Sequence, residues 1–186
     1  MRHELILGGQ RSGKSRCAES RALAWLAEPG RSAVLIATAE AGDDEMRERI
    51  ERHRLDRARR LPALSTHEVS FDLAGAIVSH AAPERLVVVD CLTLWLTRLL
   101  MPIDGAALDD AAMGDARNAL RASLAEAPGP VVIVSNEVGL GVSPMTREAR
   151  RFVDEIGLLH QAVASVCSSV TLMVAGIEVA AKRSGP

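Results

Sequence analysis

Short runs of aliphatic and β-branched residues recur along the chain, and each is followed by a longer segment whose apolar positions fall three or four apart. The runs predict strands at Glu4–Leu7, Ala33–Thr38, Leu64–Val69, Leu86–Asp90, Val131–Ser135 and Val170–Val174. The segments predict helices at Lys14–Ala27, Asp43–Arg54, Phe71–Ser79, Cys91–Leu100, Asp109–Ala125 and Arg147–Val166. Such alternation predicts an α/β fold, a mostly parallel sheet with helices on both faces. Punctuation agrees with this scheme. Pro29-Gly30 stops the first helix, Pro128-Gly129-Pro130 stops the fifth and Ser143-Pro144 opens the sixth. Pro102–Ala107 reads as a loop and Lys182–Pro186 as a frayed end.

At 186 residues, with 48% hydrophobic content, the chain suits one globular domain spanning 1–186. Charge narrows the partners. The 22 basic residues are offset by 24 acidic ones, and the dense basic stretch Arg47–Arg60 is interleaved with Glu48, Glu51 and Asp56, so no nucleic-acid footprint is present. Trp25, Phe71, Trp95 and Phe152 are the only aromatics, too few for a base-stacking platform. Cys17, Cys91 and Cys167 are far apart and odd in number, which argues against a disulfide frame or a structural zinc site and for small apolar roles. No leader precedes the first strand and no uncharged apolar run is long enough to span a bilayer, so the expected compartment is the reducing cytoplasm.

The strongest chemical signal is Gly8-Gly9-Gln10-Arg11-Ser12-Gly13-Lys14-Ser15, a phosphate-binding loop set between a strand and a helix. Its glycines let successive backbone N–H groups face one anion, Lys14 reaches the β- and γ-phosphates, and the Ser15 hydroxyl ligates Mg²⁺. In an open α/β sheet, working groups gather at the carboxyl ends of the strands. That rule selects this loop, Thr38-Ala39-Glu40, Glu68, Asp90 and Asn136-Glu137-Val138-Gly139. Asp90 ends an apolar strand where phosphate-loop enzymes hold the carboxylate that orients Mg²⁺, and it would serve equally as a helix N-cap. Glu68 suits a base or ribose contact, or an ordinary exposed strand glutamate. Glycines in 136–141 suit a mobile active-site loop or a plain turn.

His53 lies among Arg49, Arg52, Arg54 and Arg57. Neighbouring cations disfavour imidazolium, which leaves a neutral nucleophile beside groups able to clamp phosphate. The alternative is a solvated helix face with an incidental histidine. Two other functions fit the loop alone: a small-metabolite kinase without nucleotidyl transfer, and a GTP-binding regulatory module. The guanine-reading Asn-Lys-x-Asp signature of the latter is missing after the fifth strand.

Further blocks are Ile36-Ala37-Thr38, Asp43-Asp44-Glu45-Met46 followed by Arg49-Ile50 and His53, Asp90-Cys91-Leu92-Thr93, Ser135-Asn136-Glu137-Val138-Gly139 with Gly141 and Pro144, and Ala175-Gly176-Ile177. With the phosphate loop they make a chain that resembles, nearly end to end, the bifunctional adenosylcobinamide kinase / adenosylcobinamide-phosphate guanylyltransferase family of cobalamin biosynthesis. The resemblance implies a RecA-like phosphate-loop fold, a homotrimer and two successive reactions on a corrinoid. ATP or GTP first phosphorylates the aminopropanol hydroxyl of adenosylcobinamide. GMP from GTP is then transferred through a guanylylated histidine, giving adenosylcobinamide-GDP and pyrophosphate. That histidine matches His53. The resemblance assigns nucleotide contacts to Gly8, Gly9, Gln10, Arg11, Ser12, Gly13, Lys14, Ser15, Thr38, Ala39, Glu40, Arg54, Leu55, Asp56, Arg57, Glu68 and Asp90. Asp90 stands where some members carry glutamate, and Arg98 where a small polar residue is expected.

Overall fold

The computed structural model describes residues 3–39 and 44–183. Among them, seven strands alternate with six helices: β1 His3–Gly8, α1 Lys14–Leu26, β2 Ser32–Ala37, α2 Asp44–Arg60, β3 Leu64–Glu68, α3 Leu73–His80, β4 Arg85–Asp90, α4 Leu92–Leu100, α5 Asp110–Glu126, β5 Val131–Val134, α6 Arg147–Val166, β6 Ser169–Val174 and β7 Ile177–Lys182. The strands form one sheet in the order β3-β2-β4-β5-β1-β6-β7, parallel throughout except for β7.

Successive strand residues serve opposite faces, as the period of two requires. Leu5, Val34, Ile36, Val87, Val89, Val131 and Ile133 join the apolar sides of α3, α4, α5 and α6 in one core. Ile6, Leu35, Leu86, Val88, Val132 and Val134 pack beneath α1 with Cys17, Ala18, Ala22 and Leu61. Both cores are continuous because every central strand is apolar on both sides. All three cysteines are buried and unpaired, as expected of small apolar residues.

Two features depart from the sequence expectations. α2 continues past Arg54 to Arg60, because no breaker intervenes before Pro62 and Arg57 and Arg60 reach Glu19 on α1. α6 spans Arg147–Val166 as the pattern predicts, opening under a Thr146 cap whose hydroxyl accepts the Ala149 N–H, with Ser143-Pro144 in the loop before it. The second departure is β7, a strand that the apolar pattern does not announce. It pairs antiparallel with β6 across Ala175 and Gly176, both in the left-handed region at φ 50° and 82°, as a two-residue hairpin turn requires. Lys182 is therefore not frayed: its ammonium donates to the carbonyls of Ala164 and Cys167 at the end of α6.

A polar clamp centred on buried Glu4 fixes α1 to the sheet. Arg21 donates to both carboxylate oxygens of Glu4 on β1, at 2.9 and 3.2 Å, and to Glu178 on β7 at 2.6 Å. Thr171 on β6 donates to Glu4 from the other side at 2.6 Å. The clamp holds the helix that begins at the phosphate loop. Arg21→Met leaves Glu4 buried without its cation and is expected to cost about 3 kcal/mol in urea unfolding. Adding Glu4→Gln should recover part of that loss, and a single variant as stable as wild type would contradict the clamp.

Candidate nucleotide-handling site

The phosphate loop turns where β1 meets α1, and close packing at Gly8 and a positive φ at Gly13 call for glycine. At Gly8, φ is +154°, and a Cβ would lie 2.6 Å from the Met173 carbonyl oxygen. Gly13 has φ 101° and caps α1 with no side-chain hydrogen bond. The first-turn amides of α1 are thus left for an anion. From the β6–β7 turn, the Gly176 N–H donates to the Ser12 carbonyl at 3.0 Å and braces the loop from behind. The Ser12 hydroxyl is buried without a hydrogen-bond partner. Lys14 donates to the Gly9 carbonyl at 2.6 Å. Burial lowers its pKa from the usual ammonium range, opposed by Cys91 and by the Asp90 carboxylate.

Asp90 sits at the carboxyl end of β4, two strands from β1. Thr38 shapes this corner: its hydroxyl accepts the Cys91 N–H at 2.9 Å and donates to the Cys91 carbonyl at 2.7 Å. The Thr38 side chain is therefore committed to the protein itself. Burial pushes the Cys91 thiol up to about 11, so it stays protonated at neutral pH. Arg57 of α2 reaches across to Asp90 at 3.7 Å and to Glu19 at 3.9 Å. A cleft of about 510 Å³ opens beside it, lined by Arg54, Arg57, Leu64, Thr66, His67 and Glu68. That volume lies within the range of small-molecule sites.

The structure thus gathers Gly8–Ser15, Lys14, Asp90 and Arg57 at one edge of the sheet, and Arg54 and Glu68 at the adjoining cleft. Leu55 and Asp56 are exposed on α2, and Ala39 follows Thr38 beyond β2. Glu40 and the side chain of His53 lie outside the described residues. Arg98 stacks over the Phe71 ring, 4.5 Å from its centroid. Ser15 and Asp90 offer hydroxyl and carboxylate oxygens, the hard donors that Mg²⁺ takes. Among the described residues no three His, Cys, Asp or Glu side chains form a metal cluster. This donor set suits a cation that completes its shell with phosphate oxygens and water.

A second cluster was not foreseen. His160 on α6 is 7% exposed, and its Nε2 lies 2.8 Å from the Ser135 hydroxyl. Ser135 meets the Thr93 hydroxyl at 3.2 Å, and that oxygen accepts the Asn136 N–H at 2.8 Å. The other imidazole nitrogen, Nδ1, lies 3.7 Å from a Glu137 carboxylate oxygen. Burial lowers the pKa of His160, opposed by Glu137. A legible signal existed: His160 falls on the buried stripe Ile156-Leu159-His160-Val163 of an otherwise amphipathic helix. A histidine there must find polar partners or stay unsatisfied.

A strand-loop-helix phosphate cradle facing a carboxylate and an arginine across a parallel sheet defines a phosphate-loop phosphotransferase. The chain belongs to the Cobinamide kinase / cobinamide phosphate guanyltransferase family, whose model matches residues 4–181. It is 51% identical over 174 residues to the Bifunctional adenosylcobalamin biosynthesis protein CobP of Pseudomonas aeruginosa, covering 94% of each chain. It is 37% identical over 186 residues to the Bifunctional adenosylcobalamin biosynthesis protein CobU of Escherichia coli, covering 96% of this chain and 98% of that one. The likewise named protein of Salmonella typhimurium is 36% identical over 187 residues.

Lys14→Ala should weaken triphosphate binding by about 2 kcal/mol, roughly thirtyfold in Kd, through loss of a charged donor. Calorimetric titration with GTP and Mg²⁺ checks this, and unchanged affinity would contradict the cradle. His160 predicts a pH effect. Its folded pKa is depressed, so the unfolded chain takes up a proton first as pH falls below about 6.5, and stability drops with acidification from there. Chemical denaturation of His160→Gln between pH 5 and 7.5 should show a flatter slope than wild type. An identical slope would contradict a buried neutral imidazole.

Proposed function

We propose that one edge of the sheet carries both reactions of the family in this chain, with triphosphate held by Gly8–Ser15 and GMP relayed through His53. The observation that supports the reading most is the uncapped start of α1 behind Gly13, with Lys14 buried in the loop and Asp90 facing it. In the kinase step, ATP or GTP lies with its β- and γ-phosphates on the loop amides. The hydroxyl of adenosylcobinamide attacks the γ-phosphorus in line, and positioning and charge neutralisation supply most of the acceleration. Ser15 and Asp90 would hold Mg²⁺, which when bound screens the phosphate charges.

In the second step the His53 imidazole attacks the α-phosphorus of GTP. A nitrogen–phosphorus bond forms, the bond to the β-phosphate bridge breaks, and pyrophosphate leaves. A phosphate oxygen of the cobinamide phosphate then attacks the same phosphorus, releasing His53 and completing adenosylcobinamide-GDP. Arg54 and Arg57, on the helix that carries His53, balance charge on the α-phosphoryl oxygens. Glu68, which lines the cleft with both arginines, suits a base or ribose contact.

Oligomerisation to a homotrimer accords with the family resemblance and with exposed apolar side chains at Leu140, Val142, Met145 and Ile177. Three unpaired buried thiols accord with a reducing cytoplasm. Among the described residues no helix is long and apolar enough to cross a membrane.

Incubation with α-labelled GTP and Mg²⁺, followed by denaturation, should leave label on the wild-type chain, stable to alkali and released by acid. His53→Ala should remain unlabelled. Equal labelling of both proteins, or of neither, would leave only the phosphotransferase.

A further inference from the structure

The loop after β5 holds an acid next to the phosphate cradle that the relay does not use. Beyond the last residue of β5 the chain keeps its parallel pairing with β1: Ser135 N–H donates to the Ile6 carbonyl and Glu137 N–H to the Gly8 carbonyl, each at 3.0 Å. Glu137 is thereby locked in register with the first residue of the phosphate loop. Of the other acids at this edge, Asp90 faces Arg57 and Glu68 stands on the outermost strand, β3. Glu137 alone is tied to β1 by its own amide among these three.

Its carboxylate is held from two sides. One oxygen accepts the Gly139 N–H at 2.6 Å, and the other faces His160 Nδ1 at 3.7 Å. One order of protons satisfies the chain behind it: Asn136 N–H to Thr93, the Thr93 hydroxyl to Ser135, and the Ser135 hydroxyl to His160 Nε2. That order leaves Nδ1–H aimed at Glu137. Apo distances of this kind tighten when substrate closes a site. The Glu137 side chain keeps 21% of its surface exposed, so substrate and solvent can reach it.

We propose that Glu137 is the general base of the kinase step, and that His160, through Ser135 and Thr93, is its positioning residue. The alcohol O–H bond breaks and its proton passes to the Glu137 carboxylate. The freed oxygen pair forms the bond to the γ-phosphorus, the bond between that phosphorus and the β-phosphate bridge breaks, and its electron pair leaves with the diphosphate. Glu137 then returns the proton to solvent. The inference rests on the kinase half of the proposed function.

The test compares wild type, Glu137→Gln and His160→Gln in two separate assays, phosphorylation of adenosylcobinamide and GMP transfer onto supplied adenosylcobinamide phosphate. Glutamine keeps an oxygen for the Gly139 N–H, so Glu137→Gln should melt near the wild-type temperature. It should lower kinase kcat by about 10²–10⁴-fold, with little change in KM for the triphosphate. The ratio of kinase to transfer rate should fall accordingly. His160→Gln should lower the same ratio by about tenfold, as partners behind a working group do. Three results would overturn the proposal: Glu137→Gln retaining wild-type kinase kcat, both activities falling in parallel, or His160→Gln losing both in step with melting temperature. A wild-type protein that transfers GMP but does not phosphorylate would overturn the kinase reading itself, which the wild-type arm reports separately.

Discussion

The site depends on how closely the phosphate loop is pressed against β6. Gly8 leaves no room for a side chain beside the Met173 carbonyl, and Gly13 stands against Gly176 of the β6–β7 turn, where a Cβ on Gly13 would lie 3.4 Å from the Gly176 Cα. The loop backbone can fold back only with glycine at these points. Once folded, it leaves the start of α1 without a side-chain cap and draws Lys14 into the cradle. The Arg21 clamp then fixes α1 to β1, β6 and β7, so the cradle stands on an anchored helix rather than a free turn.

From that constraint the rest of the edge follows by strand order. β5 lies between β4 and β1, so residues just past its end face both the Asp90 corner and the loop. Thr38 secures the Asp90 corner through Cys91, and Thr93 links α4 to the end of β5 through Ser135 and the Asn136 amide. The hydroxyls at Thr38, Thr93 and Ser135 are buried and each is bonded, which keeps the backbone around the cradle in one arrangement. Arg57 ties α2, the helix that carries His53, to Asp90 and Glu19. A carboxylate and an arginine thus already face one another beside the loop.

Much of this was legible in the sequence because the signals are local. Apolar runs set the six parallel strands, and the phosphate-loop octet set the turn after β1 and the helix that follows it. What escaped was set by distant partners. β7 reads as Ile-Glu-Val-Ala-Ala-Lys, exposed along its length and too mixed to announce a strand, and it forms because β6 offers an unpaired edge and Glu178 meets Arg21. The length of α2 depends on arginines meeting Glu19 on another helix. The His160 cluster escaped because only the tertiary fold brings Ser135 and Glu137 to that histidine. The Asn-Glu-Val-Gly loop fits a turn or an active loop equally well in the sequence, and the pairing of its Glu137 amide with Gly8 depends on a partner over a hundred residues away.

The central claim is that the amides of loop 8–15 and the first turn of α1 receive the triphosphate. Amide nuclear magnetic resonance during titration with a non-hydrolysable GTP analogue and Mg²⁺ tests it directly. The account predicts the largest shifts at Gly9 through Ser15, with smaller ones near Asp90 and Glu137. Saturable binding that leaves Gly13, Lys14 and Ser15 unmoved while shifting another part of the molecule would contradict it.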